Sequence, residues 1–147
     1  FDVHHGNGTQ AIFAENPDVL FVSSHQLPLY PGTGKIEETG CGNILNLPLA
    51  AGDGSRPFRK AWSQIGLPAV HSFEPDLILV SAGFDAHQRD PLAQIELQDA
   101  DYHWITGQIC DLATDSCQGR VASILEGGYD LQALATASRA HVQALCC

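Results

Sequence analysis

Short apolar runs alternate with longer stretches of helical periodicity along the chain. Four runs predict strands, at positions 19–22, 44–47, 77–80 and 121–125. Three stretches predict helices, around 58–65, from about 98 to 113, and from about 130 onwards. Strands that alternate with helices of this length pair in parallel through right-handed crossovers. We therefore predict an α/β fold, a parallel sheet with helices on both faces.

The ends and connections of these elements carry further signals. Ser23-Ser24 is expected to end the first strand and Pro48 the second, and Asp53 or Ser55 is the expected N-cap of the first predicted helix. Residues 25–42 are rich in Pro, Gly and Thr, which is typical of a functional loop. The tryptophans, Trp62 among them, fall on apolar helical positions and are expected in the core.

Composition excludes several classes of protein. The 147 residues carry 17 Asp and Glu against 7 Lys and Arg, a net charge of −10, so no basic face is available for nucleic acid or an anionic membrane. No apolar run approaches the roughly 20 residues of a membrane span. Five cysteines without a CxxC pair predict reduced thiols and a cytoplasmic protein. The chain has no Met and begins at Phe1, so we expect a piece of a longer protein.

Three predicted strand ends carry residues with chemistry. Asp2 and His4 are two positions apart, a spacing that places both side chains on one face of an extended segment. Asp85 follows the 77–80 strand and could complete three ligands of a metal ion with an open position, as a catalytic Zn²⁺ needs. Carboxylates would also accept Fe²⁺ or Mn²⁺. Tyr129 follows two glycines and could present its phenol to a reacting carbonyl.

Three blocks of sequence resemble a known family. DVHHGNGT at 2–9, SAGFDA at 81–86 followed by Asp90-Pro91, and EGGY at 126–129 are similar to the signature blocks of the zinc-dependent histone deacetylases. Asn7 places the resemblance nearest to the class II and bacterial deacetylase-like branch. The resemblance implies the arginase/deacetylase-like three-layer sandwich. It also implies that residues 1–147 are the carboxy-terminal part of a single catalytic domain, an incomplete fold.

The resemblance implies a role for each matching residue in the removal of an acyl group from lysine. Asp2, His4 and Asp85 would bind zinc, and Tyr129 would stabilise the tetrahedral oxyanion. A structural K⁺ would lie against the backbone of Asp2 and His4, the Ser23 hydroxyl and the Ser24 carbonyl. The remaining implied positions are a second cation site near Phe13, Asn16 and Val19, a tunnel wall at Tyr30, a tunnel rim at Leu92, and supporting residues His5, Gly127 and Gly128.

One feature of the family's pattern is missing from the chain. The family's general base is a pair of consecutive histidines upstream of the metal motif, whereas the only such pair here is His4-His5, of which His4 is assigned to the metal. Loss of a general base typically costs about 10²–10⁴-fold in rate. The chain alone is therefore expected to be inactive or nearly so, and the whole protein is expected to be an enzyme.

Three alternatives remain open at this stage. An arginase-type enzyme with two metals would need more carboxylates, but Gly6 and Gly83 stand at the additional ligand positions. A polyamine deacetylase would need an acid at the rim, where Leu92 favours a neutral acyl-lysine chain. A non-catalytic metal-binding module would not need Tyr129. The expected substrate is thus an acetylated lysine peptide or a small acetylated amine, with the oligomeric state left open.

Overall fold

The computed structural model describes residues 1–146 and contains four strands and five α-helices within them. The strands are β1 (Phe21–Gln26), β2 (Ile44–Leu49), β3 (Ile78–Ala82) and β4 (Val121–Leu125). The helices are α1 (Asn7–Phe13), α2 (Ser55–Ala61), α3 (Leu67–Phe73), α4 (Asp99–Cys117) and α5 (Leu131–Leu145).

The strands form two parallel pairs rather than one continuous sheet. β1 pairs with β2, and β3 pairs with β4, in the described part of the chain. Residues 1–3 lie between the two pairs: the Gly83 amide donates to the Phe1 carbonyl at 2.7 Å, and the Gln26 amide donates to the Val3 carbonyl at 2.9 Å. The predicted parallel pairing is confirmed, and the first residues of the chain connect the carboxyl ends of β1 and β3.

The first two strands are longer than predicted. β1 continues through Ser23 and Ser24 to Gln26, and β2 includes Pro48, so the expected ends at Ser23-Ser24 and Pro48 are wrong. Both hydroxyls have buried partners, since Ser23 Oγ lies 3.0 Å from a ring nitrogen of His25 and Ser24 Oγ accepts from the Trp62 indole at 3.0 Å. Polar residues can therefore continue a buried strand.

The first predicted helix, around 58–65, is part of a longer helical segment. α2 and α3 are joined by a π-helical turn, Trp62–Gly66, which keeps Trp62 buried. The N-cap is Gly54, so the expectation of Asp53 or Ser55 is wrong. The Asp53 carboxylate instead accepts from the Ala50 amide at 2.8 Å. The sequence pattern also gave no indication of α1, a seven-residue helix without buried side chains.

The two longest helices begin with side-chain caps and pack against each other. At the start of α4, the Gln98 amide donates to Asp101 Oδ2 at 2.9 Å. Asp101 also accepts from Arg59 Nε at 2.7 Å, which attaches α4 to α2. At the start of α5, Asp130 Oδ1 accepts from the Ala133 amide at 2.7 Å, as an N-cap does. These contacts fix the loops that precede both helices.

The hydrophobic core lies between the strand pairs and these helices. Its fully buried side chains include Tyr102, Phe58, Leu97 and Ile105, and the predicted core position of Trp62 is confirmed. None of the cysteines within residues 1–146 forms a disulfide, as predicted, while Cys147 lies outside the described residues. Among the helices that the structure describes, none has the length and apolar character needed to traverse a bilayer.

One face of the β3–β4 pair is apolar and exposed. Leu79 and Ile124 are 65% and 58% exposed, and the strand register places them on the same face. Exposed apolar faces of this kind promote association. We therefore expect the 147-residue chain to self-associate at high concentration, and Leu79→Lys with Ile124→Lys to shift it toward monomer in light scattering. Ile12→Lys, a control at an exposed position on α1, should change nothing. A monodisperse wild-type monomer would contradict this expectation.

Candidate metal centre

Three predicted ligands come together at the carboxyl end of β3. His4 Nδ1 lies 3.2 Å from Asp2 Oδ1 and 3.1 Å from Asp85 Oδ2. One ligand atom from each residue falls within 4.8 Å of the other two. Among residues 1–146, no other group of three or more His, Cys, Asp or Glu side chains has this geometry. The structure therefore brings together the three residues that the sequence singles out.

The spacing of these atoms suits a tetrahedral metal ion. Zinc with ligand bonds of about 2.0–2.1 Å separates neighbouring ligand atoms by about 3.3–3.4 Å. The two distances from His4 Nδ1 are close to that value. The second oxygen of Asp85 is held by the Val3 amide at 2.8 Å, which aims Oδ2 at the site. One nitrogen and two carboxylate oxygens form a donor set that fits zinc and is also acceptable to Fe²⁺ or Mn²⁺.

Two glycines make room for the carboxylates. A β-carbon at Gly83 would overlap the Asp2 carboxylate, and one at Gly127 would overlap the Asp85 carboxylate. The Gly127 amide also donates to Asp2 Oδ2 at 3.3 Å. Any side chain at either position would displace a ligand. The predicted supporting role of Gly127 therefore has a steric basis, and Gly83 has the same role.

The site disfavours two unpaired negative charges. Burial, followed by the nearby Asp2 carboxylate, raises the pKa of Asp85 from 3.8 to about 6. Asp85 is fully buried, so water does little to screen this repulsion. A bound divalent cation would neutralise both carboxylates. The electrostatics of the site therefore favour a cation as its occupant.

Tyr129 lies beside this cluster and is anchored through its backbone. Its amide donates to Asp90 Oδ2 at 2.8 Å, and the other Asp90 oxygen accepts from the Leu92 amide at 3.0 Å. Desolvation and the carboxylates of Asp85, Asp2 and Asp90 raise the pKa of the Tyr129 phenol, so it keeps its proton at neutral pH. The side chain is 54% exposed and therefore accessible to a substrate.

Residues 1–145 match the family model described as the histone deacetylase domain. The chain belongs to the histone deacetylase family. It is 48% identical over 140 residues to histone deacetylase 10, chloroplastic, of Oryza sativa subsp. japonica, covering 92% of this chain and 32% of the relative. It is 46% identical over 149 residues to histone deacetylase 14, chloroplastic, of Arabidopsis thaliana, covering 99% of this chain and 35% of the relative. The chain thus spans about a third of the length of these curated relatives.

Solved structures of deacetylase domains share the fold. The crystal structure of the HDA15 HD domain superposes with a TM-score of 0.92 at 38% sequence identity, covering 99% of this chain and 42% of that one. The predicted α/β, arginase/deacetylase-like fold is therefore confirmed. The relatives are named as deacetylases, which are hydrolases.

The predicted supporting residue His5 lies in a partly buried network behind the deacetylase motif. One ring nitrogen is 2.7 Å from Thr33 Oγ1, and the other donates to Gln10 Oε1 at 2.8 Å. The Gln10 amide donates to Glu38 at 2.7 Å, and Glu38 in turn accepts from the Gly34 amide. The backbone amide of Lys35 and the Gln10 side chain lower the pKa of Glu38, which therefore stays charged. This network connects the segment after His4 to the 27–43 loop.

The residues assigned to the structural cation and the tunnel occupy compatible positions. Ser24 and Asp2 line the same small cavity of about 10 Å³, and Ser23 precedes Ser24 on β1. The ring of Tyr30 meets that of His4 edge-on, with centroids 6.5 Å apart, and Leu92 is exposed close to the Asp90 anchor. Gly128, with φ of 141°, forms the turn that leads to Tyr129. Bound potassium and a substrate tunnel remain predictions.

Sequence reasoning missed two residues that shape this region. Asp90 was noted only as part of a motif, although it holds the Tyr129 backbone. Asn43 was not considered, yet its amide nitrogen lies among the carbonyls of Phe13, Asn16 and Val19. The expectation of a second cation site there stays a prediction, and the Asn43 side chain lies between those three carbonyls. The sequence gives no signal for these contacts, since the Tyr129 amide and the three carbonyls are 24–39 positions away from Asp90 and Asn43.

The raised pKa of Asp85 predicts how stability depends on pH in the metal-free protein. Between pH 3.8 and about 6 the folded state keeps a proton that the unfolded state has released, so the free energy of unfolding falls as pH rises through this window. The loss is at most about 3 kcal/mol. Urea unfolding in EDTA should show the decline in the wild type and a flatter profile in Asp85→Asn. The exposed control Asp111→Asn should follow the wild type, and an equal decline in Asp85→Asn would contradict the assignment.

Proposed function

We propose that this chain carries the zinc site of a deacetylase that hydrolyses acetyl-lysine or a related linear amide. The observation that carries the proposal is the convergence of Asp2, His4 and Asp85 beside the Tyr129 phenol. A structural metal would need neither an open coordination position nor a nearby phenol that keeps its proton. Family membership and the deacetylase names of the relatives support the same reaction class.

The reaction adds water to the acyl carbonyl carbon, breaks the carbon–nitrogen bond, and leaves a carboxylate and an amine. Zinc held by Asp2, His4 and Asp85 would supply Lewis-acid polarisation and an activated water. Tyr129 donates its phenolic hydrogen to the carbonyl oxygen as negative charge develops there. Such a donor typically contributes about 10²–10³-fold in rate. Asp90 holds the Tyr129 backbone, so the turn that carries the phenol is fixed before the substrate binds.

The general base is proposed to come from outside this chain. Among the described residues, the buried histidines other than His4 have both ring nitrogens within reach of a partner in the protein. His5 contacts Thr33 and Gln10, while His141 contacts Thr106 and Ser123. The same is true of His25 and His87. None of them is available to take a proton from water at the metal.

The chemistry of the rim favours a neutral acyl-lysine side chain over a polyamine. Leu92 is exposed and apolar, whereas an internal ammonium of a polyamine would need an acid at this position. The Tyr30 ring adds an apolar surface beside His4. We therefore propose an acetylated lysine peptide as the substrate. In a protein that includes the base, an acetyl-lysine peptide should be hydrolysed faster than an N-acetylpolyamine.

Elemental analysis combined with an activity assay tests the proposal on this chain. The wild type should bind one equivalent of zinc, Asp85→Ala should lose it, and the exposed control Asp111→Ala should keep it. Hydrolysis of a fluorogenic acetyl-lysine peptide should remain at background, because the general base is proposed to come from outside this chain.

Each outcome separates one part of the proposal from the rest. Zinc lost in Asp85→Ala, without turnover in the wild type, supports both the ligand assignment and the external base. Turnover by the wild type would overturn the external base while leaving the metal centre intact. Absence of zinc from the wild type would overturn the ligand assignment.

A further inference from the structure

Three backbone carbonyls converge on one side-chain nitrogen near the start of β2. Asn43 Nδ2 donates to the carbonyl oxygens of Phe13 at 2.7 Å, Asn16 at 2.8 Å and Val19 at 2.8 Å. A carboxamide nitrogen carries only two hydrogens, so three close acceptors exceed its capacity. We call this group of three oxygens the carbonyl cage.

The orientation of the Asn43 amide follows from its other contacts. Its oxygen accepts from the Cys41 amide at 3.2 Å and from the Cys41 thiol at 3.3 Å. The reverse orientation would place this oxygen against three carbonyl oxygens and leave two donors facing a nitrogen. Asn43 is buried, so water cannot relieve such a clash. The nitrogen therefore occupies the cage.

The surrounding turn is shaped to admit this side chain. Gly40 has φ of 57°, and a β-carbon there would approach both Asn43 Oδ1 and the Ala14 carbonyl to 2.6 Å. The Asn43 carbonyl accepts from the Phe21 amide at 2.9 Å, which fixes the backbone of Asn43 beside β1. The side chain thus links the 13–19 loop to both strands of the first pair.

Converging carbonyl oxygens are also the ligands that replace the hydration shell of an alkali cation. Three of them directed at one buried point generate a negative potential that a partial positive charge must satisfy. In this chain the amide group supplies that charge. A cation would have to displace the Asn43 side chain, whose own oxygen is held by Cys41.

We propose that the Asn43 carboxamide replaces a monovalent cation in the carbonyl cage. The wild-type chain then binds no alkali ion at this position, and the 13–19 loop keeps its conformation whatever the salt. Removing the donor converts the cage into a site for K⁺. The amide holds the loop between α1, which directly follows the His4-His5 segment, and β1, which carries Ser23 and Ser24.

Thallium(I), used as a potassium probe, and thermal unfolding test this proposal. Asn43→Asp replaces the donor with a carboxylate, so this variant should bind one more equivalent of thallium than the wild type. Its midpoint of thermal unfolding should rise more in KCl than in tetramethylammonium chloride of equal ionic strength, relative to the wild type. Counting the additional equivalent separates this site from any ion near Asp2. Asn16→Asp, which adds the same charge on an exposed side chain beside the cage, should bind as the wild type does.

Asn43→Ala provides a second variant that adds no charge. It should also gain a thallium equivalent and be stabilised by K⁺, more weakly than Asn43→Asp. If Asn43→Asp folds only in KCl, the proposal is supported. Equal thallium counts in the wild type and Asn43→Ala, with equal loss of stability in both salts, would show that the amide is only a hydrogen-bonding group. Loss of a thallium equivalent in either variant would show that the wild type already binds a cation there, and would overturn the proposal.

Discussion

The contact between the first residues of the chain and the end of β3 determines most of the arrangement. Residues 1–3 join the two parallel strand pairs through the amides of Gly83 and Gln26. The Val3 amide donates to Asp85 at 2.8 Å, so the same segment fixes a carboxylate from the neighbouring strand end. One short piece of backbone therefore holds the sheet pairs together and assembles the ligands. The cost is a close pair of carboxylates, the partly buried Asp2 and the buried Asp85, whose repulsion a divalent cation would remove.

The metal site depends on two glycines as much as on its charged ligands. Gly83 and Gly127 stand where any β-carbon would overlap a ligand carboxylate, and each lies just beyond a strand of the second pair. Asp90, in the loop after β3, accepts from the Tyr129 amide, so the backbone of Tyr129 is attached to the loop that carries Asp85. The relative positions of ligand and phenol thus follow from backbone contacts at two adjacent strand ends, as expected for ligands beyond the carboxyl ends of parallel strands.

The sequence predicted the elements whose signals are local. β4 has the predicted bounds, and Asp85 follows β3 as expected. Asp2 and His4 precede α1 and belong to no strand of the structure, so the backbone contacts of residues 1–3 with both strand pairs bring them to Asp85. Prediction from the sequence failed where polar residues contact partners that are mostly distant along the chain. Ser23 and Ser24 have the polar character of a strand end, although their hydroxyls contact His25 and Trp62 inside the protein. The sequence does not predict α1, because none of its side chains is buried and it therefore has no apolar periodicity. The role of Asn43 could not be predicted for the same reason. Its acceptors are backbone carbonyls, which every residue type carries.

X-ray absorption at the zinc edge of the metal-loaded chain identifies the atoms bound to the metal, and so shows whether Asp2, His4 and Asp85 form the metal centre. We predict a shell of nitrogen and oxygen atoms only, at about 2.0–2.1 Å, with the outer scattering of a single imidazole. Sulfur scattering at about 2.3 Å, or the signature of more than one imidazole, would contradict this account by placing the metal on cysteines or on other histidines.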